Sequence, residues 1–157
     1  MKKAFSIIVL FLLIFQSSFA TIYSSDPQTF VEEMVNDAIN TLSSKNLTDE
    51  EKANFVENLA MDNVDINGLG LYTLGELRKS ADKTNLEKYQ RIFEKYFLKS
   101  LTSRLTDYSS NKFEVISAEK KSSNYTIVKS KIAKSENQPE IKIDWRIYTK
   151  NPEKPLI

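Results

Sequence analysis

Hydrophobic positions along the chain follow two regimes, a helical period first and a two-residue period after it. Phe30, Val31, Met34, Val35, Ala38, Ile39 and Leu42 recur at helical spacing behind Asp26-Pro27. A capping residue followed by proline at the first helical position predicts a helix from there to about Ser43. Thr48 and Glu51 have the spacing of a capping box and open a second helix, with Phe55, Val56, Leu59 and Ala60 as its apolar positions. A short third helix is predicted over about residues 66–77, carrying Ile66, Leu69, Tyr72 and Leu74. The three glycines of the protein, Gly68, Gly70 and Gly75, fall inside it, which predicts close backbone packing or a break in the helix. Thr84 and Glu87 read as a second capping box, ahead of the clearest helix in the chain. Leu86, Tyr89, Phe93, Phe97, Leu101, Leu105 and Tyr108 lie on one stripe of it, widened by Ile92, Tyr96 and Leu98.

After Ser109-Ser110-Asn111 the period becomes two. Phe113, Val115 and Ser117 alternate with Glu114, Ile116 and Ala118. Tyr125, Ile127 and Lys129 alternate with Thr126, Val128 and Ser130. Ile141, Ile143, Trp145 and Ile147 alternate with Lys142, Asp144, Arg146 and Tyr148, the cleanest apolar and polar faces of the three strands. Short connections between consecutive strands predict an antiparallel meander. Helices grouped ahead of it predict an α+β domain, with N-terminal helices packed on one face of a small antiparallel sheet. The tail from Asn151 to Ile157 reads as a turn leading toward a further strand.

The first residues belong to a different pattern. Met1-Lys2-Lys3 is a short basic region, Ala4 to Phe15 an apolar stretch, and Ser18 and Ala20 place small residues at the −3 and −1 positions of a cleavage site. This is the layout of a secretory signal over residues 1–20, cleaved after Ala20, which leaves residues 21–157 as one domain exported across the inner membrane. The apolar stretch falls short of the roughly 20 residues a spanning helix needs.

Composition narrows the chemistry. The sequence has no Cys and no His, so disulfides, thiolate nucleophiles, zinc ribbons and histidine-based catalytic groupings are excluded. Basic and acidic residues nearly balance, 22 against 21, and Lys outnumbers Arg 18 to 4, so nothing points to a nucleic acid. Asn63-Val64-Asp65-Ile66-Asn67-Gly68 matches the first half of a calcium loop. Leu71 and Leu74 then stand where the later ligands are needed, and Asp65 reads as a helix cap. Acid pairs such as Asp62 with Asp65, and Glu50 with Glu51, sit where helix starts favour acids. Gly68-Leu69-Gly70 lacks the third glycine and the preceding strand of a dinucleotide loop. What remains is the aromatic face of the long helix opposite the apolar face of the sheet. It is either an ordinary core or a slot for an apolar ligand, and periodicity alone does not separate the two.

The segment from Asp65 to Tyr108 resembles the MlaC family of periplasmic phospholipid-binding proteins, also described as toluene-tolerance proteins. Asp65 leads the short helix, Leu74-Gly75 is followed by the basic Arg78, and Phe93, Leu101, Leu105 and Tyr108 take the spaced positions of the long helix. Leu77 stands where the family often has an aromatic. The family also continues past residue 157 with a further strand and a C-terminal helix, so the chain is expected to be a shortened member. The resemblance implies a soluble periplasmic shuttle that screens the acyl chains of a phospholipid between the inner and outer membrane, with no catalysis and no cofactor. It implies as partners an inner-membrane ABC lipid transporter with a membrane-anchored lipid-binding subunit, and an outer-membrane lipoprotein–porin complex. On this reading Tyr72, Leu74, Phe93, Phe97 and Leu101 line the slot from the helices, Ile127, Ile143 and Trp145 line it from the sheet, and Arg78 lies near the head group. The alternative is a secreted structural or adaptor module with a filled core and no ligand.

Overall fold

A computed structural model describes residues 22–108, 112–136, 138–151 and 154–157. The leader, the Ser109-Ser110-Asn111 turn and the side chain of Tyr108 lie outside the described residues. Five helices precede three strands: α1 (Pro27–Ser43), α2 (Asp49–Asn63), α3 (Ile66–Leu74), α4 (Leu77–Ser80), α5 (Lys83–Tyr108), β1 (Phe113–Lys120), β2 (Tyr125–Ile132) and β3 (Ile141–Tyr148). The strands form an antiparallel meander in the order β1-β2-β3. The α+β architecture anticipated from the two periods is what the chain adopts.

The helix starts are set by local hydrogen bonds. Asp26 caps α1, its carboxylate accepting from the Thr29 N–H at 3.0 Å. Thr48 and Glu51 form the reciprocal box at the start of α2. Asp65 caps α3 by accepting from the Gly68 N–H at 2.9 Å. A Cβ on Gly68 would lie 2.2 Å from the Asp65 carboxylate, so glycine there is what lets the cap close. The expected Thr84–Glu87 box is not the start of α5. Asp82 takes that place, accepting from the Asn85 N–H at 2.9 Å, and the helix begins one residue earlier than Thr84. Aspartate is the stronger N-cap of the two, and Asp82 lies three residues upstream of the Asn85 N–H it accepts from.

The glycine-rich third helix is both closely packed and broken. A Cβ on Gly70 would come 3.0 Å from Phe93 Cδ1, so α3 rests almost backbone-to-ring on α5. Gly75, at φ 55° and ψ −129°, ends α3, in a conformation that side chains resist. The helix therefore stops at Leu74, and Leu77–Ser80 forms a separate turn of helix.

The sheet register decides which face is inner. Val128 pairs with Trp145, Ser130 with Ile143 and Ile132 with Ile141, so these six side chains share the helix-covered face. β1 has a bulge between Val115 and Ser117. Phe113 and Val115 face inward before it, and Ala118 takes the inner parity after it, leaving Ile116 exposed. The simple alternation read for β1 thus holds only for its first half. α1 is the helix packed directly on the sheet, and α5 lies chiefly against α2 and α3. The tail returns beside β3, where Tyr148 and Leu156 exchange backbone hydrogen bonds, and Ile157 bonds Asn63 and Asp65 at the α2–α3 junction.

Candidate functional site

The core is in two pieces. Phe30, Val31 and Met34 of α1 close on Val128 and Ile147 of the sheet. Separately, Ala60, Ile66 and Leu98 join α2, α3 and α5. Between the two lies a cavity of about 370 Å³, within the roughly 300–1,000 Å³ of small-molecule sites. α1 explains the gap: its first half is in the sheet-side cluster, whereas Ala38, Ile39 and Leu42 of its second half line the open space.

The walls come from every layer. α2 contributes Val56, Leu59 and Ala60, and α5 contributes Phe97, Leu101 and Leu105. Phe113, Ile132, Ile143 and Trp145 form the sheet side, and Ile157 reaches in from the tail. Each lining residue among those described is apolar. The indole of Trp145 brings a donor, but its Nε1–H is turned to the Ser130 Oγ, 2.7 Å away. Ser130 itself is 1% exposed, so the sheet keeps this polar pair to itself and offers the cavity only ring carbon.

Electrostatics is absent from the cavity and concentrated at helix ends. Asp26 and Asp82 are held below the usual carboxylate range, chiefly by backbone N–H donation from Thr29 and Asn85. Glu51 is lowered by the Thr48 backbone N–H in the same way. Glu119 is lowered by its hydrogen bond with Lys121, far from the cavity lining. Such a space can hold hydrocarbon. It presents no ionisable group, among the described residues, to bind a metal or carry a proton.

Of the residues singled out from sequence, Phe97, Leu101, Ile143 and Trp145 border one cavity from opposite sides. The other four slot residues lie elsewhere. Ile127 pairs with Arg146 and Glu119, which puts it on the outer sheet face, because a strand's neighbours point oppositely and its inner residues are Val128 and Ser130. Tyr72 is 71% exposed, since Gly70 and Thr73 are the α3 positions turned to α5. Leu74 borders a separate shallow hollow with Leu77, Leu86 and Tyr89. Phe93 sits under Gly70, stacked between Tyr89 and Phe97, and fills the α3–α5 contact. Arg78 is exposed and donates to the Leu71 carbonyl at 3.3 Å, away from the cavity lining. The walls from α1 and α2 were visible as helical stripes, but nothing in a stripe marks which positions meet protein and which meet space.

No curated protein matches the chain by sequence. In structure it is similar to a phospholipid-binding protein from Ralstonia solanacearum, solved in complex with a phospholipid. The TM-score is 0.64 at 15% identity, over 82% of this chain and 73% of that one. The family model described as MlaC protein matches residues 32–157, which takes in all three strands and every residue that lines the cavity. A helical half, a meander and a match running the length of both make this chain a member of the MlaC family.

Proposed function

We propose that the cavity sheathes the acyl chains of a phospholipid and that the protein carries this lipid through the aqueous space between inner and outer membrane. The divided core supports the reading most directly. The cavity opens to solvent, so its apolar walls around about 370 Å³ of space stand in water unless something covers them, and apolar surface left in water forgoes about 25 cal/mol per Å². Water gives little relief, because an apolar wall offers it no partners. Hydrocarbon fills the space and removes the penalty, while each methylene withdrawn from water contributes about 0.8 kcal/mol. The phospholipid in the Ralstonia solanacearum neighbour agrees with this occupant.

Carriage requires no bond to be made or broken, so the role is binding rather than catalysis. Export follows from the leader, with residues 21–157 as the working domain. The lipid would be exchanged with an ABC-type lipid transporter at the inner membrane and a lipoprotein–porin complex at the outer. Phe97, Leu101, Ile143 and Trp145 are the wall residues we assign to the acyl chains.

Trp145 is the single tryptophan of the protein and stands in the wall, which makes the test direct. Delipidated protein is titrated with phospholipid carrying brominated acyl chains. Stoichiometric quenching of Trp145 fluorescence is expected, and Phe97→Asp abolishes it while circular dichroism shows the fold retained. Absence of quenching in the wild-type protein would refute the proposal.

A further inference from the structure

The outer side of α5 is charged in one sense, with two exposed apolar side chains along one edge. At about 100° per residue, Lys88, Arg91, Ile92, Lys95, Tyr96 and Lys99 fall within about 140° of one another around the helix. All six are exposed; Ile92 is 58% exposed and Tyr96 70%. None of the four cations makes an ion pair among the described residues. The acids of this stretch, Glu87 and Glu94, lie outside that arc, beyond its Arg91 edge and toward Leu98, about 40° and 60° from Arg91. The chain as a whole has a net charge of only +1, so this face is a local concentration and not a general property.

A helix face with a large apolar and an amphipathic aromatic residue between lysines has the make-up of an interfacial helix. The lysine stems lie along apolar surface while their heads reach outward. No helix among the described residues is long and apolar enough to cross a membrane, so the contact is with the surface. We propose that this face of α5 docks the protein on an anionic lipid bilayer, with Ile92 and Tyr96 at head-group level and Lys88, Arg91, Lys95 and Lys99 on the lipid phosphates. The occupant is chosen by charge. Four cations without an acid on one face of about 16 Å match a plane of phosphates. This surface lies outside the cavity wall, and the proposal stands whatever fills the cavity.

Each cation near an anionic bilayer is worth about fivefold in partition. The test is co-sedimentation of the protein with vesicles of phosphatidylglycerol and phosphatidylethanolamine, and with vesicles of phosphatidylcholine alone. Binding to the anionic vesicles at low salt, lost at high salt and weak on phosphatidylcholine, is the expected result. Lys95→Glu with Lys99→Glu changes four charge units and should lower binding several hundredfold. Ile92→Ser with Tyr96→Ser keeps the charge and should weaken binding as well. Lys142→Glu with Lys150→Glu makes the same net change at other exposed positions and should have a far smaller effect. All of these sites are exposed, and unchanged thermal melts verify the fold. Wild-type protein that stays in the supernatant with anionic vesicles at low salt overturns the proposal. So does a loss in the Lys142/Lys150 variant equal to that in the Lys95/Lys99 variant, or full retention in the latter, as expected if the face serves only a protein partner.

Discussion

Ala38→Leu turns the existence of the cavity into a question of sign. Ala38 is 6% exposed and lies in the wall formed by the second half of α1. Leucine adds three carbon atoms there, worth about 2.4 kcal/mol if they leave water for an apolar space. Fixing the longer side chain costs about 0.5–1 kcal/mol. The delipidated variant should therefore be more stable than the wild type by about 1.5 kcal/mol, or about 5 °C in Tm for a domain of this size. Lipid meanwhile loses room, so the stabilisation that added phospholipid gives by mass action should shrink in the variant. The assay is thermal and urea unfolding of both proteins, with and without phospholipid, followed by circular dichroism and Trp145 fluorescence. In a solidly packed core the same substitution overfills its site and costs about 1–3 kcal/mol. A delipidated Ala38→Leu protein less stable than its parent would mean the two core clusters meet, and the ligand site would go with the gap.

Four further outcomes follow from the geometry. Ser130→Ala leaves the buried Trp145 Nε1–H without its acceptor and should cost about 1–3 kcal/mol in urea unfolding; a change within experimental error would show that the bond contributes nothing. Gly75→Ala forces a side chain onto φ 55° and should cost about 1–3 kcal/mol, whereas it should leave lipid quenching of Trp145 in place. Ile127→Asp, on the outer sheet face, should leave phospholipid loading unchanged, and loss of loading with the fold intact would refute the assigned strand parity. The lowered carboxylates Asp26, Glu51 and Asp82 bind fewer protons folded than unfolded as pH falls. Their contribution is present above the ordinary carboxylate range, starts to fade near pH 4.5 and is lost as pH passes below their lowered values. Asp26→Asn keeps a capping oxygen without the titration, so its acid limb of stability should be shallower than that of the wild type.

Local chemistry was legible where one or two residues decide an outcome. The Asp26-Pro27 start, the Thr48–Glu51 box and the Asp65 cap each depend on an acceptor a fixed distance from free N–H groups, and all three form. The Thr84–Glu87 box failed because Asp82 caps the helix two residues earlier, through the Asn85 N–H, and leaves Thr84 inside the first turn, which a motif read in isolation does not register. Strand β3 showed its inner face through clean alternation. β2 did not, because both of its faces carry β-branched residues and only pairing with β3 chooses between Ile127 and Val128. The β1 bulge is likewise a property of the pair and leaves no mark in one strand's pattern.

The site itself was half legible for a different reason. A helical stripe records that side chains are withheld from water, and acyl chains withhold them as well as protein does. Phe93 and Phe97 are four residues apart on the same stripe, yet Phe93 meets the backbone of Gly70 and Phe97 meets the cavity. What separates them is the approach of α3, permitted by a glycine, and the way α1 closes on the sheet along its first half, from Phe30 to Val35. The cavity is therefore a consequence of where helices touch rather than of what they are made of. Close contact at Gly70 and at the start of α1 fixes the two clusters, and the space between them is what neither contact can reach. Widening either contact would loosen the walls, and filling the space would lock them. Under the proposed function, enclosing hydrocarbon and releasing it calls for rigidity at those two contacts and openness between them.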